Sequence, residues 1–103
     1  MNAEDKPDIE VLRKRANKAA ALMKALANEN RLLILCQLLD GELSVGALNA
    51  KVELGQSAFS QHLAVLRKDG LVKTRKEAQT VYYSLANDHA EKVLAVLYDI
   101  FCN

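Results

Sequence analysis

Along most of the chain apolar residues recur every three or four positions, and in one stretch they recur every two. Pro7 and Asp8 mark the start of a first helix, with Asp8 as cap and Ile9 onward helical. Leu12, Ala16, Ala19, Ala20, Met23 and Leu26 then form a narrow stripe on one face, and its alanines allow another helix to approach closely. Asn28 caps a second helix over residues 29–39. Its Leu32, Leu33, Ile34, Leu35, Leu38 and Leu39 leave little polar surface, which predicts a place in the middle of the domain. Asp40-Gly41 ends it. Ser44 caps a short third helix carrying Val45, Leu48 and Val52. Leu54-Gly55 then breaks the chain before a fourth helix over Gln56–Lys68, closed by Asp69 and Gly70.

Beyond Gly70 the apolar period drops to two. Residues 71–76 and Thr80–Leu85 read as strands, with Val81, Tyr83 and Leu85 on one face and Tyr82 and Ser84 on the other. The spacer Glu77-Ala78-Gln79-Thr80 predicts a four-residue hairpin loop, although it lacks the glycine of a tight turn. Asp88 and Glu91 read as a capping box for a last helix bearing Val93, Leu94, Val96, Leu97, Ile100 and Phe101. The fold class is therefore mainly α with a small β-hairpin: four helices, a hairpin and a fifth helix. Two short helices joined by a few residues and followed by a hairpin describe a winged helix-turn-helix. One domain spans residues 1–103, with the helix-turn-helix over residues 44–69 and the wing over residues 71–85.

The fourth helix carries the candidate chemistry. Phe59, Leu63 and Leu66 must face the core, which leaves Ser57, Ser60, Gln61 and Ala64 on the opposite face, with Gln56 at the helix start. A solvent-facing stripe is ordinarily built from Lys and Glu. Short, uncharged Ser and Gln instead suit approach to base edges, because both donate and accept and Gln can grip adenine bidentately. His62 lies between the two faces and reads either as a structural histidine or as a phosphate contact. Arg67 and Lys68 at the helix end, with Lys73, Arg75 and Lys76 on the hairpin, are expected to neutralise phosphates and fix register on double-stranded DNA.

Composition adds limits more than detail. The 103 residues carry a net charge of only +1. Residues 56–85 nevertheless carry net +3, while residues 1–55 are neutral and residues 86–103 are net −2. The positive charge thus falls on the fourth helix and hairpin, where phosphates would be met. The apolar run over residues 32–39 is too short to span a bilayer and the N-terminus lacks an apolar signal segment, so a cytoplasmic protein is expected. No pair of carboxylates, His-Cys arrangement or Gly-rich phosphate loop suggests an enzyme, and no cofactor is called for. A winged-helix protein-interaction module is the reading from another class. Against it stands the absence of apolar anchors on the fourth helix's outer face.

The two cysteines leave alternatives open. Cys36 shares a helical stripe with Leu32, Leu35 and Leu39 and reads as a small buried hydrophobe; Cys102, penultimate, reads as a terminal thiol. A redox-sensing pair is the other reading. Burial would raise the pKa of Cys36, and a helix C-terminus disfavours a thiolate at Cys102.

Three motifs together resemble the ArsR/SmtB family of bacterial repressors: Leu43-Ser44-Val45-Gly46-Ala47-Leu48, then Gln56-Ser57-Ala58-Phe59-Ser60-Gln61-His62-Leu63, then Leu66-Arg67-Lys68-Asp69-Gly70-Leu71-Val72. Leu26-Ala27-Asn28-Glu29-Asn30-Arg31-Leu32 is similar to the family's entry to its second helix. Within the family, Arg75-Lys76-Glu77-Ala78-Gln79-Thr80-Val81 resembles the wing of HlyU-type regulators. The resemblance implies a homodimer joined through the first and last helices (residues 9–27 and 88–102) and bound to a near-palindromic operator. Gly55 stands where relatives often have a Ser cap, a weaker choice. Metal sensing is not expected. Ser44 and Gly46 occupy the cysteine positions of one family metal site, and Asp88 and His89, adjacent and with no later His, cannot form the other. Members of the HlyU, BigR and SqrR type carry one cysteine on the second helix and one at the end of the last. By resemblance, Cys36 and Cys102 are the pair that would report oxidants or reactive sulfur species by a disulfide or polysulfide link. The expected consequence is a pull of the last helix against the second that changes half-site spacing and weakens DNA binding. A constitutive regulator or anti-silencer with packing cysteines is the alternative.

Overall fold

Asp8 starts the first helix by accepting a hydrogen bond from the Glu10 amide at 2.7 Å, and α1 runs Ile9–Leu26. The computed structural model describes residues 8–102; the expectations attached to residues 1–7, Pro7 among them, lie outside it. Asn28 caps α2 (Glu29–Gln37) by accepting from the Arg31 amide at 3.1 Å. Arg31 in return donates from Nε to the Ala25 carbonyl at 2.7 Å, so a side chain of α2 satisfies the exposed end of α1. Within α1 only Ala25 and Leu26 are buried. The radius of gyration is 15.9 Å, against roughly 13 Å for a compact domain of this length, because α1 stands out from the body.

The second helix ends two residues before the expected Leu39. Leu38 and Leu39 donate to Leu35 and Cys36, three residues back, in a tightened last turn, and Gly41 at φ +131° redirects the chain. Its place is also less central than its composition predicts. Ile34 and Leu35 are fully buried, whereas Leu33 and Leu39 are exposed. A helix apolar all round has one face in the core and another exposed.

A strand that the pattern did not announce follows. The segment β1 (Leu43–Ser44) is two residues long, and Ser44 is at once its end and the cap of α3 (Val45–Val52), accepting from the Ala47 amide at 3.1 Å. Glu53, left-handed at φ 53°, stops α3. Gly55 then precedes α4 (Gln56–Lys68) and gives it no side-chain cap bond. The end of α4 is sharply defined. Gly70, at φ +73°, donates to Arg67 and Leu71 donates to Leu66, the paired bonds that close a helix through a left-handed glycine.

Strands β2 (Val72–Glu77) and β3 (Thr80–Leu85) pair from Val72↔Leu85 to Glu77↔Thr80, so the turn is only Ala78-Gln79. The expected four-residue loop is thus replaced by a tight one, with Ala78 taking the positive φ of 56° that glycine usually supplies. β1 pairs with β3, and the three-stranded sheet has the order β1-β3-β2. The capping box expected at Asp88 is absent. Asn87 Oδ1 accepts from the His89 amide at 3.0 Å instead, and Asp88 pairs with Lys92 at 3.0 Å, so α5 (His89–Phe101) is capped from one residue earlier. The core gathers Ile34, Leu35, Leu38, Leu48, Phe59 and Leu66, and it fixes α4 between α2, α3 and the sheet. The result is a winged helix-turn-helix. Among the described residues no helix is long and apolar enough to cross a membrane.

Candidate nucleic-acid interface

Burial along α4 follows its sequence period. Phe59, Leu63 and Leu66 are 2%, 4% and 0% exposed, and they hold the helix on the core. Gln56, Ser57, Ser60, Gln61 and Ala64 are all exposed, so the uncharged face is presented outward as a unit. His62 is half-buried at the seam between the two faces. Arg67 and Lys68 are exposed in the last turn, where the helix dipole favours cations. Ser60, Ala64, Arg67 and Lys68 line one open depression together with Val45 and Tyr83, bringing the polar face and its terminal cations against the sheet.

The wing cations separate into two kinds. Lys73 and Lys76 are exposed. Arg75 is engaged: Nε and Nη2 donate to the two carboxylate oxygens of Glu42 at 3.1 and 2.6 Å, and Nη1 donates to Glu77 at 2.7 Å. Its guanidinium lies over the Tyr82 ring, 4.5 Å from the centroid. The hydrogen bond from Arg75 holds the Glu42 carboxyl below the usual carboxylate range, and the same pairing raises the guanidinium's own pKa. Sequence reading placed Arg75 on phosphate and gave Glu42 no role. The two lie 33 positions apart, and no local pattern joins them.

Cys36 and Cys102 come together from α2 and the end of α5. Both line a cleft of about 270 Å³ with Leu32, Leu39, Leu94 and Phe101 among its walls, and both are free thiols. The expectation of a buried Cys36 is corrected: its surface is exposed, because it lies with Leu32 and Leu39 on the side of α2 that lines the cleft with α5, while Leu35 alone of that stripe goes into the core. Partial burial in the cleft still pushes the Cys36 thiol up, and the nearby Cys102 adds to the shift. Among the described residues no three His, Cys, Asp or Glu side chains gather as a metal-holding group.

Comparison with known proteins agrees with this geometry. Residues 28–74 match the family described as bacterial regulatory protein, arsR family. The chain is 54% identical to the transcriptional activator HlyU of Vibrio cholerae, over 92% of this chain and 88% of that protein. It is 47% identical to the biofilm growth-associated repressor of Agrobacterium fabrum, over 88% of this chain and 78% of that protein. The solved structure of reduced HlyU from Vibrio cholerae matches with a TM-score of 0.84 at 54% identity, covering 92% of this chain and 100% of that one. The chain therefore belongs to the arsR family of bacterial regulatory proteins and is an HlyU-like winged-helix transcriptional regulator.

Proposed function

We propose that this regulator binds a near-palindromic operator as a homodimer, with α4 reading base edges in the major groove and its affinity set by the Cys36/Cys102 dithiol. The outward Ser/Gln face of α4, directly opposite buried Phe59, Leu63 and Leu66, carries the base-reading part. Gln56, Ser57, Ser60 and Gln61 meet the bases. Arg67, Lys68 and Lys76 meet phosphates, and His62 sits at the margin of the interface. The protein acts by binding and carries out no reaction on its DNA.

Dimerisation through α1 and α5 is supported by their uncovered apolar side chains. Met23 is 68% exposed, and Val96 and Ile100 are 57% and 61% exposed.

The control layer rests on one cleft that holds both sulfurs, in a chain so similar to a protein whose structure is described as reduced. A thiolate at one cysteine attacks an oxidant such as diamide, and the second thiolate displaces the adduct. The dithiol loses two electrons and two protons to form a disulfide, and diamide becomes the corresponding hydrazine. Joining the end of α5 to α2 then shifts the α5 face that holds the dimer and alters the spacing of the two α4 helices. Titration of a duplex that the reduced protein selects from a random pool tests this, with reduced and diamide-treated protein in parallel. Weaker binding after oxidation is expected, and Cys36→Ser should abolish the difference. Equal affinity with the disulfide demonstrated by mass would leave a constitutive regulator.

A further inference from the structure

Arg75 is the wing residue whose charge the fold itself consumes. It stands on β2, an outer strand of the sheet, while Glu42 immediately precedes β1, the other outer strand. Its guanidinium passes over Tyr82 of the middle strand β3 to reach that carboxylate. The sheet's own connection on this side is slight, because β1 and β3 share only the pairs Leu43↔Tyr83 and Ser44↔Tyr82. Ser44 is also the cap of α3, the first helix of the helix-turn-helix. Whatever holds Glu42 to the hairpin therefore sets the wing's attitude toward α3 and α4.

The geometry favours a clamp over a phosphate contact. A planar guanidinium meeting two carboxylate oxygens in parallel, with a third bond to Glu77 and an aromatic face beneath, is the arrangement in which an exposed ion pair is worth counting. Arg75, Glu42 and Glu77 together carry a net charge of −1, and Lys73, whose charge also acts on Glu42, brings the group only to neutrality. An incoming phosphate therefore meets no net attraction there and would have to displace a carboxylate.

We infer that Arg75 is a positioning residue that braces the wing against the start of the helix-turn-helix through Glu42, and that Lys76 makes the wing's phosphate contact. This rests on the DNA-binding reading above. Phosphate contacts and braces separate cleanly in the salt dependence of binding, since each lost contact lowers the slope of log affinity against log salt by about 0.9 on duplex DNA.

The experiment measures affinity and salt slope for wild type, Arg75→Gln, Arg75→Lys, Glu42→Gln and Lys76→Gln on the duplex the wild-type protein selects, with thermal melts to verify folding. Arg75→Gln and Glu42→Gln should each weaken binding about fivefold at the wild-type slope. The double variant should be no weaker than either single one. Arg75→Lys keeps the charge but not the fork, and should fall short of wild-type affinity. Lys76→Gln should lower the slope by about 0.9.

A lowered slope for Arg75→Gln overturns the inference, as does wild-type affinity in Glu42→Gln or in Arg75→Lys. An unchanged slope for Lys76→Gln overturns the assignment of that contact. Failure of the wild-type protein to bind any duplex would strike the underlying reading instead.

Discussion

Cys36 is exposed by surface and yet has its thiol pushed up, because the cleft between α2 and α5 is apolar and the other thiol lies close by. Both causes disfavour the thiolate, so the neutral thiol dominates at neutral pH. The alkylation rate of Cys36, followed against pH by mass spectrometry, should rise with a midpoint above the ordinary thiol value. Cys102→Ser removes the neighbouring sulfur and should lower that midpoint, while the contribution of burial remains. An unmoved midpoint would mean that the two sulfurs do not sense one another. Sequence reading expected the upward shift but attributed it to a core position. The cause is a cleft, which leaves the sulfur accessible to an oxidant.

On the scale of the element, α4 separates stability from recognition across its two faces. Leu66 is fully buried, and Leu66→Ala should cost about 2–5 kcal/mol of folding stability in denaturant titration. Gln61 is exposed on the opposite face and makes no contact that the core needs. Gln61→Ala should leave the melt nearly unchanged while eroding discrimination between operator and mismatched duplex by about 1–3 kcal/mol. A variant that bound matched and mismatched duplexes in the wild-type ratio would remove Gln61 from the base-reading set. Both faces of α4 were legible beforehand, because helical periodicity decides which side chains share a face. Its sharp end was legible too, since Gly70 supplies the left-handed residue that closure requires. The cap of α5 was not. Asp88 and Asn87 are both competent caps, and the path of the chain leaving β3 decides which of them meets the His89 amide.

For the whole molecule, the uncovered apolar surface is the largest unmatched feature. α1 buries only its last two residues, and α5 exposes Val96, Tyr98, Ile100 and Phe101. Charges placed at Met23 or Ile100 meet solvent in the protomer but would be buried in a dimer joined through these helices. Met23→Asp and Ile100→Asp should therefore keep the protomer's far-ultraviolet circular dichroism, shift the sedimentation equilibrium to monomer, and make any residual stability independent of concentration. A wild-type protein that sediments as a monomer at micromolar concentration would dismiss this assembly.

Several features of this protein follow from residues close together in the chain. The helix caps at Asp8, Asn28 and Ser44 depend on a side chain reaching an amide two or three residues on. The switch of period at Gly70 and the polar outer face of α4 are equally local, and these together specify a winged helix-turn-helix. Other features depend on partners that only folding brings near. The strand β1 exists because β3 lies beside it, and the tight Ala78-Gln79 turn because the register of β2 and β3 leaves no longer loop. Cys36 and Cys102 line one cleft because folding brings the end of α5 alongside α2. Arg75 was legible as a cation on a wing, but its pairing with Glu42, brought across the sheet from 33 residues away, was not. Short-range geometry is encoded by neighbours in sequence, whereas the state of a charge depends on everything within a few ångströms.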